Sequence, residues 1–436
     1  MAIRCYLLCI AWSGVGVSAA QPDTLTMLDC ASRATACTPV GAERDGSADG
    51  AIPAWQGTAP EAGPDGPDPY VADRPLHTVT AANQAQFAGQ LSAGQRAMFK
   101  RYPQSWRMPV HTTRRSAVYS DAVRAATAAN RTGARLSPDG EGVAGAHLGF
   151  PFPLARSGAE AIWNHRLRYV PPILARDSVQ VVPTGAGAFV PIRLKETLYG
   201  PYWRDAESAD DPVLRYLMID VEAPARLAGQ RLLVHEPRAA GVPRQAWVYN
   251  PGQRRVRKAP DTAYDHPGTV AEGQRSADMF DLFSGALDRF DWTLVGRRTV
   301  LVPYNNWALQ AAIDDPTLVR PGHLDPARMR YELHRVWVVE AQVKQGLRHQ
   351  MPRRSYYLDE DSWQIVLADH YDAAGKLWRY SEAATLWDGP RSWLWTVRET
   401  HYDLQNGRYV STAYKPGRAP AQLDAADFSP AALRGR

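Results

Sequence analysis

From about residue 177 onward, apolar and polar positions alternate with a period of two, the pattern of strands buried on one face. The clearest run, 331–343, places Tyr331, Leu333, Trp337, Val339, Ala341 and Val343 on one face. Its other face carries Glu332, His334, Val336, Val338, Glu340, Gln342 and then Lys344. Three turn signals join such runs into hairpins. Asp372-Ala-Ala-Gly375 predicts a pairing of Tyr371 with Lys376, which sets Leu367 opposite Tyr380 and Ile365 opposite Glu382. Asn406-Gly407 predicts a type I′ turn pairing Leu404 with Tyr409, and Asn250-Pro251-Gly252-Gln253 sets Trp247 against Val256. Successive hairpins with one apolar face each make a long antiparallel meander, which must curl into a barrel, half-barrel or sandwich.

Ahead of residue 177 this rhythm is absent. Residues 38–75 are dense in Pro and Gly and read as extended chain on a surface or partly disordered, with Trp55 and Tyr70 as anchors. Helical patterns follow at 80–101 and 116–131. A third, at 157–170, has the strongest start signal: Ser157 and Glu160 form an S-x-x-E capping box, and Pro171-Pro172 stop the helix. The predicted fold class is mainly β with α (α+β), a strongly curved antiparallel sheet or half-barrel closed by helices. The predicted division is a leader at 1–20, a Pro/Gly-rich arm at 21–78, one curved-sheet domain at 79–420 and a tail at 421–436.

One position breaks the alternation. Arg335 falls on the apolar face between Leu333 and Trp337. An inward guanidinium needs a carboxylate, a group of carbonyls or a bound anion to offset its desolvation. A buried ion pair, with Asp369 as one candidate partner, is the plain expectation; an anionic ligand headgroup is the sharper one.

The first residues change the cellular setting. Arg4 precedes a short apolar run (Tyr6 to Trp12) that ends in Ser18, Ala19 and Ala20, the layout of a cleaved secretory signal. Cleavage before Ala20 or Gln21 fits equally, and an uncleaved anchor is the alternative. No later segment is apolar over the ~20 residues that a spanning helix needs. The chain is therefore expected in the periplasm, with outer-membrane association as a further option and no transmembrane segment.

Of the 436 residues, 14 are tryptophans, and so many rings must be buried, paired or shown to an apolar partner. The formal charge of +5 becomes +4 without Arg4, and no basic run is long enough to argue for nucleic acid. Four cysteines become two after cleavage, since Cys5 and Cys9 leave. Cys30 and Cys37 are expected to form a local disulfide in an oxidising compartment, worth ~2 kcal/mol to the N-terminal segment. A metal pair is the weaker reading, because no His or third Cys lies nearby.

Catalytic motifs are missing: there is no G-x-S-x-G elbow, H-E-x-x-H, P-loop or G-x-G-x-x-G. No catalytic residue, metal or cofactor is assigned. His165 is expected to be a satisfied helix histidine, with a base acting on an unrecognised nucleophile as the alternative. Asp359-Glu360-Asp361 reads as a solvated turn, since it lacks the spacing and the glycine of a calcium loop. Arg254-Arg255-Val256-Arg257-Lys258 alternates sides and reads as a solvated strand, with contact to an anionic lipid or acidic partner as the alternative.

Several stretches carry a family resemblance. Thr38-Pro-Val-Gly-Ala-Glu43, Ala48-Asp-Gly-Ala-Ile-Pro-Ala-Trp55, Tyr102-Pro-Gln-Ser-Trp-Arg-Met-Pro109, Gly149-Phe-Pro-Phe-Pro-Leu154 and Ser157-Gly-Ala-Glu-Ala-Ile-Trp-Asn-His165 resemble the bacterial domain-of-unknown-function 1329 family. Its members are outer-membrane lipoprotein-sorting-like. Trp247-Val-Tyr-Asn-Pro-Gly-Gln-Arg-Arg-Val-Arg257 resembles the strand-turn-strand of lipoprotein-sorting proteins, whereas Cys30 and Cys37 depart from the pattern. The resemblance implies a fold like the Lol lipoprotein carriers, with helices closing a curved sheet over an apolar cavity, and companionship with envelope transporters or outer-membrane proteins.

These expectations converge on a carrier for a lipid, lipoprotein or other hydrophobic cargo. Its ligand-binding residues would be Trp163, Arg335, Trp337, Trp363, Ile365, Trp378, Tyr380 and Trp395. The competing expectations are a secreted lipid or ester hydrolase working through His165, and a structural adaptor docking to a transporter through residues 38–75.

Overall fold

The computed structural model describes residues 36–204, 211–238, 242–259, 264–268 and 270–434. The expected leader and Cys30 lie outside the described residues, and with them the proposed Cys30–Cys37 bridge. Among the described residues, no helix is long and apolar enough to cross a membrane.

The first half of the chain supplies β1 (His77–Val79), β2 (Met108–Val110), β3 (Arg135–Leu136), β4 (Val143–Ala144), β5 (Ile173–Val181), β6 (Ile192–Tyr199) and β7 (Val213–Ala223). Then follow β8 (Arg231–Pro237), β9 (Gln245–Asn250), β10 (Arg255–Lys258), β11 (Phe290–Pro303) and β12 (Tyr331–Val343). The last strands are β13 (Arg353–Asp359), β14 (Ile365–Tyr371), β15 (Leu377–Asp388), β16 (Trp393–Asp403) and β17 (Tyr409–Pro416). The helices are α1 (Ala93–Arg101), α2 (Asp121–Gly133), α3 (Gly158–Leu167) and α4 (Trp307–Ala311).

All strands except β3 and β4 belong to one sheet. It consists of two antiparallel meanders, β5–β10 and β11–β17, joined where β17 lies against β5 with Ser411 opposite Val181. The sheet is mixed only through β2, which runs parallel to β12 at Tyr331. It stays open, because β10 and β11 end the meander without pairing to each other. Its curl is tight at one end. Four strand steps separate β11 from β15, roughly 19 Å in a flat sheet. Yet the backbone N–H of Asn306, just after β11, donates to the Thr385 carbonyl on β15 at 2.8 Å.

Helix positions differ from expectation at their ends. The 80–101 stretch splits into a 3₁₀ turn at Gln84–Gln90 and α1, whose N-cap Ser92 accepts from Gln95 N–H. The 116–131 helix begins later, after its cap Ser120. Ser157 caps α3 as expected, accepting from Glu160 N–H at 3.2 Å, but the Glu160 carboxylate reaches back to Arg156 N–H instead of Ser157.

Strand 331–343 forms as predicted, whereas the hairpin registers shift. Tyr371 opposes Leu377, and a bulge there sets Leu367 opposite Glu382 and Asp369 opposite Tyr380. At Asn406-Gly407 the Asp403 carboxylate takes the N–H groups of Gln405 and Asn406, so the loop is longer and Tyr402, not Leu404, opposes Tyr409. Tyr249 opposes Val256, and Trp247 opposes Lys258. A one- or two-residue change in loop length suffices for each shift.

The proline- and glycine-rich arm lies against the sheet. Trp55 Nε1 donates to the Ala117 carbonyl at 3.2 Å, and Tyr70 sits beneath Arg114 and Arg330. Beyond β17, Phe428 and Leu433 cover Tyr199, Tyr216, Met218 and Leu233 on the outer face of β6–β8. With that outer face sealed, the opposite face of the same strands points inward.

Candidate functional site

The inward positions of three adjacent strands follow one rule: one or two apolar side chains and one charge. On β6 they are Leu194 and Glu196; on β7, Arg215, Leu217 and Ile219; on β8, Leu232, Val234 and Glu236. Tyr414 from β17 and the loop residues Arg275, Ala277, Phe280 and Ser284 complete the walls of a cavity of about 100 Å³. A second cavity, about 30 Å³, adjoins it and shares Arg215 and Phe280 with it.

The two carboxylates on the walls are already neutralised. Glu196 pairs with Arg176 at 2.7 Å and accepts from Ser178 Oγ at 2.6 Å. Glu236 sits between Arg166 at 3.1 Å and Arg244 at 2.5 Å. Burial alone would raise the Glu236 pKa, but Arg244 and Arg166 outweigh it and hold the carboxyl below its ordinary value.

Two lining arginines have no such partner. The Arg215 guanidinium makes no hydrogen bond or ion pair among the described residues, and burial pushes its pKa down while Asp281 and Glu236 pull it up. Asp281 itself is taken by Arg168 at 2.7 and 2.8 Å. Arg275, 9% exposed, makes one long hydrogen bond to Gln180 Oε1 at 3.4 Å and leaves its buried Nε unpartnered.

None of the eight sequence-predicted ligand residues lines this cavity; they fall into separate packed regions. Arg335, Trp337 and Trp363 come together beneath the N-terminal arm. Arg335 pairs with Glu360 at 3.2 Å and Glu43 at 3.5 Å and donates to the Asp45 carbonyl, while Trp363 Nε1 donates to the Val40 carbonyl. Trp337 and Trp363 stack with centroids 6.3 Å apart. The plain expectation of a buried ion pair therefore holds, with Glu360 in place of Asp369. Asp369 instead accepts the N–H groups of Ala93 and Gly94 at the start of α1, and a Cβ at Gly94 would lie 2.4 Å from its Oδ1.

Tyr380 stacks on Tyr402 and donates to Glu382 at 2.9 Å. Trp395 donates to Gln310 Oε1, and half-buried Trp378 donates to Asp403. Trp163 Nε1 donates to the Gly140 carbonyl, and the ring supports Arg166 at 4.3 Å, the same arginine that holds Glu236. Trp163 thus touches the cavity at one remove. The aromatic-rich half of the sheet is filled by its own rings, and the space lies in the other half.

His165 and the fully buried Ile365 meet on α3's inner side. Ile365 N–H donates to His165 Nδ1 at 3.1 Å, and Nε2–H faces the Asp281 carbonyl at 3.0 Å. Burial, reinforced by Arg168, pushes the ring's pKa down to about 3. Both nitrogens are engaged by backbone, and the imidazole is a buried structural group held neutral.

The acidic run is not a solvated turn. Asp359, Glu360 and Asp361 are all at least 98% buried. Asp361 pairs with Arg115 at 2.7 Å, Glu360 with Arg335 and Arg297, and Asp359 with His334 at 3.0 Å. His334, Asp359 and Asp361 converge within 4.8 Å, as metal ligands would. Their charges are met by protein cations: burial opposes a charge on His334, but Asp359 and Glu332 outweigh it and hold its pKa at about 10. The basic run, by contrast, is an exposed edge strand, β10, as expected.

Arg215, Arg275, Glu196 and Glu236 were not singled out from sequence. The signal was available: by its period-two spacing Arg215 falls between Val213 and Leu217 in β7, as Arg335 falls between Leu333 and Trp337, and Glu196 and Glu236 break the apolar face of the strands on either side. Three adjacent strands each carry an inward charge.

The family profile for a protein of unknown function, DUF1329, matches residues 78–434. The chain belongs to the DUF1329 family. Among relatives of this DUF1329 protein, Uncharacterized protein PA3922 of Pseudomonas aeruginosa is 41% identical over 431 residues, covering 93% of this chain and 92% of that protein. A DUF1329 family crystal structure from Desulfovibrio piger is 17% identical with a TM-score of 0.43, covering 60% of this chain and 91% of its own. A putative outer membrane lipoprotein-sorting protein domain from Vibrio parahaemolyticus is 13% identical with a TM-score of 0.46, covering 64% and 98%.

Proposed function

We propose that this DUF1329 protein is a periplasmic binding or carrier protein that takes a hydrophobic or amphiphilic cargo, a lipid or lipoprotein acyl group included, into the inner face of β6–β8. The observation that carries this reading is the cavity of about 100 Å³ walled by Leu194, Leu217, Ile219, Leu232 and Val234, on strands whose outer face the C-terminal tail already covers. Natural cores are close-packed, so space held open by apolar walls favours a ligand. The volume suits the first few carbons of a chain or one small ring. Burying about 120 Å² of apolar ligand surface would contribute roughly 3 kcal/mol before association costs. That supports reversible holding and handover. The leader-like pattern of residues 1–20 accords with an envelope setting, in which a transporter or outer-membrane protein would receive the cargo.

The carrier reading is favoured over a hydrolase by the backbone engagement of both His165 nitrogens, and over an adaptor by the contacts that tie Val40 and Asp45 of the arm to Trp363 and Arg335. Native mass spectrometry of the protein purified from cells tests the carrier reading. Co-purifying lipid or lipoprotein mass is expected; a bare chain that also binds no apolar dye would contradict it.

A further inference from the structure

We infer that the cavity selects an amphiphile with an anionic head, a phosphate or carboxylate that Arg215 and Arg275 hold while its first carbons lie on Leu217, Ile219 and Val234. This rests on the carrier reading for its cavity and adds the chemistry of the cargo.

Both lining carboxylates are occupied: Glu196 by Arg176, Glu236 by Arg166 and Arg244. Asp281 is occupied by Arg168. The walls therefore carry two guanidiniums more than their acids neutralise. A desolvated, unpaired cation is costly, and a protein interior rarely keeps one without a use. Arg275 is the more telling, because its Nε is buried and unpartnered, its one side-chain hydrogen bond is the 3.4 Å contact to Gln180, and its guanidinium otherwise only lies over the Phe280 ring at 5.5 Å. Arg215 lies on β7 beside Leu217 and Ile219, so charge and apolar wall meet on one strand two residues apart. A guanidinium offers paired N–H donors that match the oxygens of a carboxylate or phosphate. An apolar chain alone would leave both arginines unpaired, and a cationic head would add a third unmatched charge.

The contrast with Arg335 sharpens the assignment. That inward arginine has Glu360, Glu43 and the Asp45 carbonyl, and its charge is spent within the protein. Arg215 sits in the same kind of strand position and has no such partner.

The test is a displacement titration of an apolar fluorescent dye from the full-length mature protein, using dodecyl phosphate, dodecanol, dodecyltrimethylammonium and inorganic phosphate. Dodecyl phosphate is expected to displace the dye at least tenfold more tightly than dodecanol, with the ammonium weakest and inorganic phosphate without effect. Arg215→Gln and Arg275→Gln, checked by thermal melting, are expected to bring the ratio of phosphate to alcohol affinity close to one. Equal affinity for dodecyl phosphate and dodecanol in the wild type would overturn the headgroup assignment and leave the carrier reading standing. Inorganic phosphate binding as tightly as dodecyl phosphate would overturn it in favour of a free-anion site. If no amphiphile or dye binds at all, the carrier reading falls first. The wild-type comparison decides the matter even if a variant fails to fold.

Discussion

The Tyr331 hydroxyl on β12 donates a hydrogen bond of 3.1 Å to the Glu382 carboxylate on β15, three strand steps away. In a flat sheet those strands would stand about 14 Å apart. Tyr380 and Tyr402 donate to the same carboxylate at 2.9 and 3.1 Å, so three phenols and one acid pin the curl of the aromatic-rich half.

Glu382 gives that region a pH signature. Burial raises its pKa to about 7 against the pull of the three tyrosines. The folded state then holds a proton that the unfolded chain releases near 4.5. Its contribution to stability is full below 4.5 and is lost as pH rises through about 7. The urea midpoint of the wild type, measured against Glu382→Gln, is expected to fall between pH 5 and pH 8. A constant difference across that range would contradict the assignment.

His334 acts in the opposite range. With its pKa held at about 10, it supplies stability that is complete below its ordinary 6.5 and disappears as pH rises through 10. His334→Ala leaves Asp359 and Glu332 short of a cation and is expected to cost roughly 3 kcal/mol at pH 7. Chemical denaturation at pH 7 and pH 10 checks this: the cost should shrink at the higher pH.

Arg335→Leu removes one of three arginines around Glu360 and the contact that holds Asp45. A loss of about 2 kcal/mol is expected, less than for an isolated buried pair because Arg115 and Arg297 remain. Limited proteolysis should open the arm near residues 40–50, while dye binding in the β6–β8 cavity stays unchanged. Loss of ligand binding in a folded Arg335→Leu protein would restore the headgroup role that the sequence pattern allowed.

Local patterns were legible and distant partners were not. Strand 331–343 and the Ser157 start of α3 follow from periodicity and capping alone. The hairpin registers slipped because side chains such as the Asp403 carboxylate reshape a turn in ways that a two-residue motif does not encode. Asp359-Glu360-Asp361 looked solvated because its cations, Arg115, Arg297 and His334, lie far away in sequence. The same distance hid the fate of Trp337 and Trp363, since nothing near residue 337 announces that Val40 and Asp45 will cover that face. The cavity was legible in principle through Arg215, by the reasoning that drew attention to Arg335.

The most direct measurement of the central claim is the affinity of an apolar dye for the wild type and for Ile219→Trp, whose added ring fills the space between β6–β8 and Phe280. At least a tenfold loss of binding is expected in a variant that melts at the wild-type temperature or above. Undiminished binding in that filled variant would place the ligand elsewhere and contradict the account.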